Sequence, residues 1–445
     1  MSVFTLKAGR VIALATLVMM IASGCADQVV STNNDSETGN EPASESASKV
    51  RNSHLFDTAV KAAGKNGEQT AIVFAIDPYR VVDRYEVVDR YEVVDRYEVV
   101  DRYEVVDRYE VVDRYEFTDT FYGYSLWVST EYLEEILQAM EEDETIAWVE
   151  PVFEVQSSPG SIARAKTRQR VPWSVAEVGG IRSWAVSGDG SGEVDVDIFV
   201  IDTGVSNGDV NVVDSRDYAN SGSTTDLDGH GTNIAGIVAA VDDTDGIVGL
   251  APGARVHNYR VFNDDGIGDD TYVIAALEDV LAWKRDNPSS PAVVNLSLGA
   301  EVGKERTALD DAVESVIKAG ITVVVAAGNQ AANVKNFTPA HVKKAITVGA
   351  YDGTHNFASF SNFGKEIDLL APGTEIFSLA PGNSYSVMSG TSMAAAHVTG
   401  AVALLLGADP GLSPSKVDKA LQKSAARGVK KAPKGTTKSG VWVGN

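Results

Sequence analysis

Only one cysteine, Cys25, occurs in the 445 residues. That excludes an intramolecular disulfide framework and any Cys-rich metal site. Positive charge is also in short supply: 38 Lys and Arg face 62 Asp and Glu, a net charge of −24. A surface of that sign does not neutralise phosphates, so no nucleic-acid partner is expected. A membrane-spanning run near the start is missing too. The run over 11–21 is too short to cross a bilayer comfortably. What remains is a chain with 44% hydrophobic side chains, enough for one large core and a smaller one. Its stability must come from burial and bound ions.

Lys7 and Arg10, the apolar run 11–21, and Ala22, Ser23 and Gly24 before Cys25 follow one another in the order of a secretory signal. Two readings of its end stand. Ala22-Ser23-Gly24-Cys25 resembles a bacterial lipobox, which would make Cys25 a lipidated N-terminus and the only membrane attachment. Gly24-Cys25-Ala26 is also an ordinary small-residue cleavage pattern. The segment 26–66 reads as a flexible tether, its first half rich in Ser, Asn, Glu and Thr.

Residues 81–116 are six identical copies of Val-Val-Asp-Arg-Tyr-Glu. As a strand the repeat has no cleanly apolar face. As a helix its Val and Tyr residues precess about the axis, because six residues turn it by about 600°. Neither period wins. Its flanks are clearer: short apolar strands over 71–76 and 122–128, a helical face at Leu133, Ile136, Leu137 and Met140 that Thr130 can cap, and a closing strand over 146–149. This α+β pattern, with Phe121-Tyr122-Gly123-Tyr124-Ser125 and Trp148-Val149-Glu150-Pro151, resembles the inhibitor-type propeptide of subtilisin-like proteases. The resemblance implies a small ferredoxin-like domain over 67–156.

From residue 171 onward mostly continuous apolar runs at 198–201, 255–262, 292–298, 321–327 and 345–348 alternate with helical patterns at 272–283 and 308–317. Such runs suit strands buried on both faces, giving a doubly covered, mostly parallel α/β sheet over 171–445. Reactive groups then belong at the carboxyl ends of its strands.

Three glycine-flanked segments stand at such ends. Asp202 follows a strand in Ile201-Asp202-Thr203-Gly204. His230 lies in Asp228-Gly229-His230-Gly231-Thr232, and Ser392 in Ser389-Gly390-Thr391-Ser392-Met393-Ala394. Singly, each has a plain alternative: a turn-forming Asp, a structural His, a helix N-cap. Together they supply a nucleophile, the base that serine needs, and the anion that fixes the base's tautomer. In the order Asp, His, Ser they are similar to the subtilisin-like serine proteases. That resemblance implies an exported serine endopeptidase made as a zymogen, hydrolysing polypeptide substrates, with no cofactor for catalysis. By the same resemblance Asn329, in Ala326-Ala327-Gly328-Asn329, joins the Ser392 N–H in an oxyanion hole. Ser297-Leu298-Gly299 and Ala326, Ala327 and Gly328 line the substrate cleft, with a broad apolar preference. Two positions depart from the family pattern: Asn233, usually histidine, and Ala396, usually proline.

The loop 241–247 resembles a calcium-binding loop of some subtilisins, with Asp243 as a side-chain ligand; a solvated acidic turn is the alternative. The segment 157–170, with Ser-Ser-Pro-Gly and four basic residues, reads as an exposed processing linker. The propeptide would then be a partner of its own catalytic domain, as folding aid and inhibitor. The rival from another class is a non-catalytic surface protein that binds through the hexapeptide array.

Overall fold

The computed structural model describes residues 49–52, 56, 69–76, 112–117, 119–121, 123–129, 133–142, 146–156, 161–163, 169–263, 266–425 and 427–444. The signal segment with Cys25, Thr130, most of the repeats and the linker residues 157–160 and 164–168 lie outside these. The chain divides into two compact units, 1–116 with 122–152 and 117–121 with 153–445.

The first unit is built on β1 (Gln69–Ile76), β2 (Val112–Phe117), β3 (Gly123–Ser129), helix α1 (Leu133–Glu142) and β4 (Ile146–Pro151). The strands lie in the order β2-β3-β1-β4, with β1 antiparallel to β3 and β4. Ile72 and Phe74, two apart and so on one face of β1, meet Leu133, Ile136 and Met140 of α1 together with Val128, Ile146 and Val149. The last hexapeptide copy, ambiguous by periodicity, contributes residues 112–116 to the edge strand β2.

The second unit contains β5 (Glu154–Gln156), β6 (Ser161–Ala163), the short α2 (Trp173–Glu177), β7 (Asp197–Asp202), β8 (Val212–Asp217), α3 (His230–Ala239) and β9 (Arg255–Arg260). It continues through β10 (Ile267–Asp269), α4 (Asp270–Asp286), β11 (Ala292–Leu296), β12 (Ala300–Glu301), α5 (Ala308–Lys318), β13 (Thr322–Ala326) and β14 (Phe337–Thr338). Last come β15 (Ile346–Tyr351), β16 (Leu369–Pro372), β17 (Ile376–Ala380), β18 (Ser384–Met388), α6 (Thr391–Ala408), α7 (Pro414–Ser424), β19 (Arg427–Gly428) and β20 (Ser439–Gly440).

Nine strands form the main sheet in the order β19-β20-β16-β15-β13-β11-β7-β9-β8. The pairings from β8 across to β20 are parallel, and β19–β20 is antiparallel. Alternate residues of β7 show why its interior, 198–201, is apolar. Ile198 and Val200 join the core formed with α3 and α6, while Phe199 packs edge-on against Trp283 of α4. Both faces are thus covered, and each such aliphatic side chain stabilises by about 1.5–3 kcal/mol through burial. Helix α6 is long and apolar enough to cross a membrane, but 83% of it is buried inside the protein. It is the central core helix, packed on β11, β13, β15 and β16.

The predicted strands run one to two residues past those observed at 262, 298 and 327. At those three points the chain leaves the sheet to build the site.

Candidate active site

The strand order reverses direction at the β7–β11 pair. From β7 the chain goes to β8 and β9 on one side, then crosses to β11 and onward to β13, β15 and β16 on the other. Such a switch point opens a crevice at the strands' carboxyl ends. Asp202 is the last residue of β7. Asn295 of β11 is in register with Val200, so two residues later Ser297 comes level with Asp202.

Asp202 and His230 are joined by a 2.7 Å hydrogen bond between Oδ1 and Nδ1, and both residues are fully buried. Thr203 N–H also donates to Asp202 Oδ1, at 2.8 Å. His230 opens α3 behind Gly229, which caps the helix at φ 99°. The next residue has no room for a side chain: a Cβ on Gly231 would fall 2.2 Å from the Gly204 carbonyl oxygen. Glycine therefore lets the histidine helix approach the aspartate loop. Burial alone would depress the His230 pKa, but the charge and hydrogen bond of Asp202, with Asp228 and Asp226 behind, raise it above 6.5.

Ser392 is the second residue of α6, which packs against α3. No intrahelical carbonyl can reach an N–H so near a helix start, so the Ser392 amide is available to an anion. Its hydroxyl donates to the Ser297 carbonyl at 3.2 Å. His230 Nε2 is buried and has no hydrogen-bond partner among the described residues. The Ser297 hydroxyl, held by Asn295 Nδ2 at 2.9 Å, donates in turn to the Ser392 carbonyl at 3.0 Å. Thr399 of α6 donates to Asn295 Oδ1 at 2.8 Å, so α6 is locked to the end of β11.

Asn329 follows β13 through Ala327 and Gly328. Its Oδ1 accepts from both the N–H and the hydroxyl of Thr391, each at 2.9 Å. With the oxygen end turned to Thr391, the amide nitrogen is the end an oxyanion would meet. Gly328 N–H donates to the Thr391 hydroxyl at 3.0 Å, so the Asn329 loop and the serine turn are built as one piece.

The chain's own backbone pairs with strands beside the residues expected to line the cleft. β5 pairs antiparallel with β10, Val155 opposite Gly268, and also lies against β12, just beyond Gly299. Val155 is fully buried. β6 pairs antiparallel with β18, the strand that leads into the serine turn. Leu298, Ala326 and Ala327 are buried, and Gly299 sits where a Cβ would be 2.7 Å from the Thr338 carbonyl oxygen. The two departures differ in how they are met: the buried Asn233 Oδ1 has no hydrogen-bond partner among the described residues. Asn233 donates through Nδ2 to Ser386 at 2.8 Å and accepts at its carbonyl from Ser378 at 2.7 Å, tying α3 to β17 and β18. Ala396 is a buried interior residue of α6.

Around the 241–247 loop the acidic residues divide. Asp242 accepts N–H groups of Gly188, Asp189 and Gly190 at 2.9 to 3.2 Å and is a structural anchor. Asp243 Oδ1 accepts from Asp245 N–H at 2.7 Å. Gln169, far away in sequence, binds the loop through Val241 O and Thr244 O. Asp209, which no local motif marks, brings a buried Oδ2 with no hydrogen-bond partner among the described residues. Burial, then the charges of Asp243 and Asp245, push its carboxyl up to about 7. Among the described residues no three His, Cys, Asp or Glu side chains converge as a metal site, so a cation here would need backbone carbonyls as well. A carboxylate with one orphaned oxygen, beside a second carboxylate and a carbonyl-rich loop, fits a hard cation of the calcium type.

The profile of the Subtilase family, peptidase S8, matches residues 159–440. Subtilisin DY of Bacillus licheniformis is 38% identical over 263 residues, 58% of this chain and 92% of that protein. An extracellular serine proteinase of Thermus sp. (strain Rt41A) is 36% identical over 301 residues, 66% of this chain and 69% of that protein. The crystal structure of a cold adapted subtilisin-like serine proteinase superposes with a TM-score of 0.53 at 32% identity, covering 61% of this chain and 97% of that one. With a family match over more than half its length and this fold beneath it, the chain belongs to the subtilase family and is a subtilisin-like serine protease.

Proposed function

We propose that the protein is an exported serine endopeptidase, made as a zymogen, whose nucleophile, base and orienting anion are Ser392, His230 and Asp202. The carrying observation is the buried Asp202–His230 bond, at the same switch-point crevice as a serine at a helix start and an asparagine whose oxygen is already committed. In the reaction the Ser392 hydroxyl turns from Ser297 O to His230 Nε2, gives up its proton there and attacks a peptide carbonyl. Asp202 holds the ring and stabilises the imidazolium. The tetrahedral oxyanion takes hydrogen bonds from Asn329 Nδ2 and Ser392 N–H. Collapse expels the amine, which His230 protonates, and water then hydrolyses the acyl-enzyme by the same route in reverse.

An extended polypeptide substrate adds as a strand between β10 and the edge 297–299. Ala326, Ala327 and Gly328 bring no charge to the pocket, which favours apolar side chains. The pairing of β5 and β6 with strands that border this crevice supports the chain itself as first substrate, cut between Gln156 and Ser161. Residues 67–156 then act as folding aid and inhibitor. Export rests on the N-terminal segment and on the names of relatives such as the extracellular Thermus proteinase; lipidation of Cys25 belongs to the same reading and would appear as acyl mass on the exported chain. A structural calcium ion would be held by Asp209 and Asp243 with carbonyls of the 241–247 loop and the Gln169 amide oxygen, supplying stability and no step of catalysis.

A fluorophosphonate probe tests the reading. Labelling of the processed protein that is lost in Ser392→Ala supports it; absence of labelling favours the non-catalytic binding protein.

A further inference from the structure

Asp226 takes no part in the chemistry above, yet it contacts both halves of the Asp202–His230 pair's support. It is fully buried. Its Oδ1 accepts from the Thr203 hydroxyl at 3.0 Å and from Gly229 N–H at 2.7 Å. Its Oδ2 accepts from Thr232 N–H at 2.9 Å and from the Thr232 hydroxyl at 2.5 Å. Thr203 follows Asp202 directly; Gly229 and Thr232 bracket His230. The network closes on itself. The Thr203 hydroxyl also accepts from Gly231 N–H at 2.8 Å, and the Thr232 hydroxyl accepts from Ser206 N–H at 3.0 Å. Asp226 N–H donates to the Ser206 hydroxyl at 2.8 Å.

No lysine or arginine side chain appears among these partners. A carboxylate with four donors and no cation is an all-acceptor hub: each oxygen faces two hydrogens, and only an acceptor-only group suits all of them. The loop feeding it is fixed from outside, because the buried Arg260 donates to the carbonyls of Ser223 and Thr225 at 3.1 and 2.7 Å.

We infer that Asp226 is a positioning residue for catalysis, clamping the turn after Asp202 to the helix start that carries His230. The inference rests on the proteolytic reading and adds a role that reading does not need. The isosteric substitution Asp226→Asn would turn an amide group toward two donors, break two of the clamps and let the His230 turn drift from Asp202. Misplacement on the scale of an ångström costs about 100-fold in rate. Asp226 is also one of three carboxylates, with Asp202 and Asp228, whose charge favours protonated His230.

The test uses the full chain after processing, with Asp226→Asn, Thr203→Val, Thr203→Ser and the Asp226→Asn/Thr203→Val double variant, each measured for peptide hydrolysis across pH and for fluorophosphonate labelling. Expected for Asp226→Asn is a kcat loss of about 10- to 100-fold, little change in KM, and an acidic limb of kcat/KM moved to lower pH. Thr203→Val should show a smaller loss that Thr203→Ser restores, and the double variant should lose less than the product of the singles, because both cut one network. Asp226→Asn with wild-type kcat and an unmoved limb overturns the inference, as do losses that simply multiply. Should Asp226→Asn not mature, the Thr203 pair decides alone: equal rates for Thr203→Val and wild type overturn it. Failure of the wild type itself to label would instead overturn the proteolytic reading.

Discussion

The Ser392 hydroxyl donates to the carbonyl oxygen of Ser297, at 3.2 Å, while the His230 ring nitrogen that would accept its proton is buried without a hydrogen-bond partner among the described residues. At that length the serine's bond is weak. Little holds the hydroxyl in its resting direction, and an unsatisfied buried imidazole nitrogen rewards its turning. In the proposed relay the Asp202–His230 half is already formed, and the Ser392–His230 half would form when substrate is seated, as such bonds often do.

The oxyanion role proposed for Asn329 predicts a specific kinetic signature. Asn329→Leu keeps the volume and removes the donor, and should lower kcat by about 10²- to 10³-fold with KM little changed. Steady-state kinetics on a peptide substrate read both parameters. A change confined to KM would mean that Asn329 only binds the ground state.

Activity should depend on pH through His230. Burial pulls its folded pKa down, but Asp202 together with Asp228 and Asp226 holds it above the ordinary 6.5, and in the proposed mechanism the neutral ring is the base. Activity is therefore absent below that pKa and rises as pH passes above it. Asp202→Asn should cost about 10⁴-fold in kcat and shift the limb of the residual activity downward. A limb below 6.5 in the wild type contradicts this electrostatic account.

A cation at Asp209 makes a linkage prediction. The Asp209 carboxyl is raised in the folded state to about 7 from 3.8, so the folded chain holds the proton more tightly than the unfolded one. Without a bound cation, stability then falls as pH rises from about 4 to about 7. Added calcium should offset that loss at neutral pH, and Asp209→Asn should abolish both effects. Asp368, also pushed up to about 7 by burial, titrates in the same range, so melting curves of the wild type and Asp209→Asn must be compared at each pH. Melting temperatures insensitive to chelation contradict the calcium assignment.

Self-processing should produce a new N-terminus within residues 157–161, because β5 and β6 bracket that stretch on either side of the cleft. Intact-mass analysis of purified wild type beside Ser392→Ala reads it directly. A mature chain starting beyond Ala163 would mean that this bracketing strand pair does not mark the cut.

Much of this was legible in the sequence because burial on two sides leaves a plain signal. β7 reads as an apolar run over 198–201 since Ile198 and Phe199 face opposite covered sides, and β11 and β13 are apolar but for Asn295 and Thr322. The three candidates stood out because His230 sits between Gly229 and Gly231 and a glycine lies two residues from Asp202 and from Ser392; at Gly231 the close approach of a loop demands it. Asp209 and Asp226 did not. Asp209 faces a loop more than thirty residues onward, and Asp226 joins the distant Thr203 hydroxyl to N–H and hydroxyl groups of Gly229 and Thr232, three and six residues ahead, a pairing that no side-chain periodicity reveals. The edge strand β8, Val-Val-Asp-Ser-Arg-Asp with an exposed or half-exposed side chain at each position, was equally silent, for it buries no apolar face. In the last repeat copy the pairing partner β3 decides for a strand where the two periodicities balance.

Peptide hydrolysis and fluorophosphonate labelling of the processed wild type beside Ser392→Ala test the central claim most directly. Turnover and labelling are predicted in the wild type, with a loss of about 10⁶-fold in kcat and no labelled band in the variant. Equal activity in the two proteins, or a processed wild type that neither labels nor hydrolyses, would contradict it.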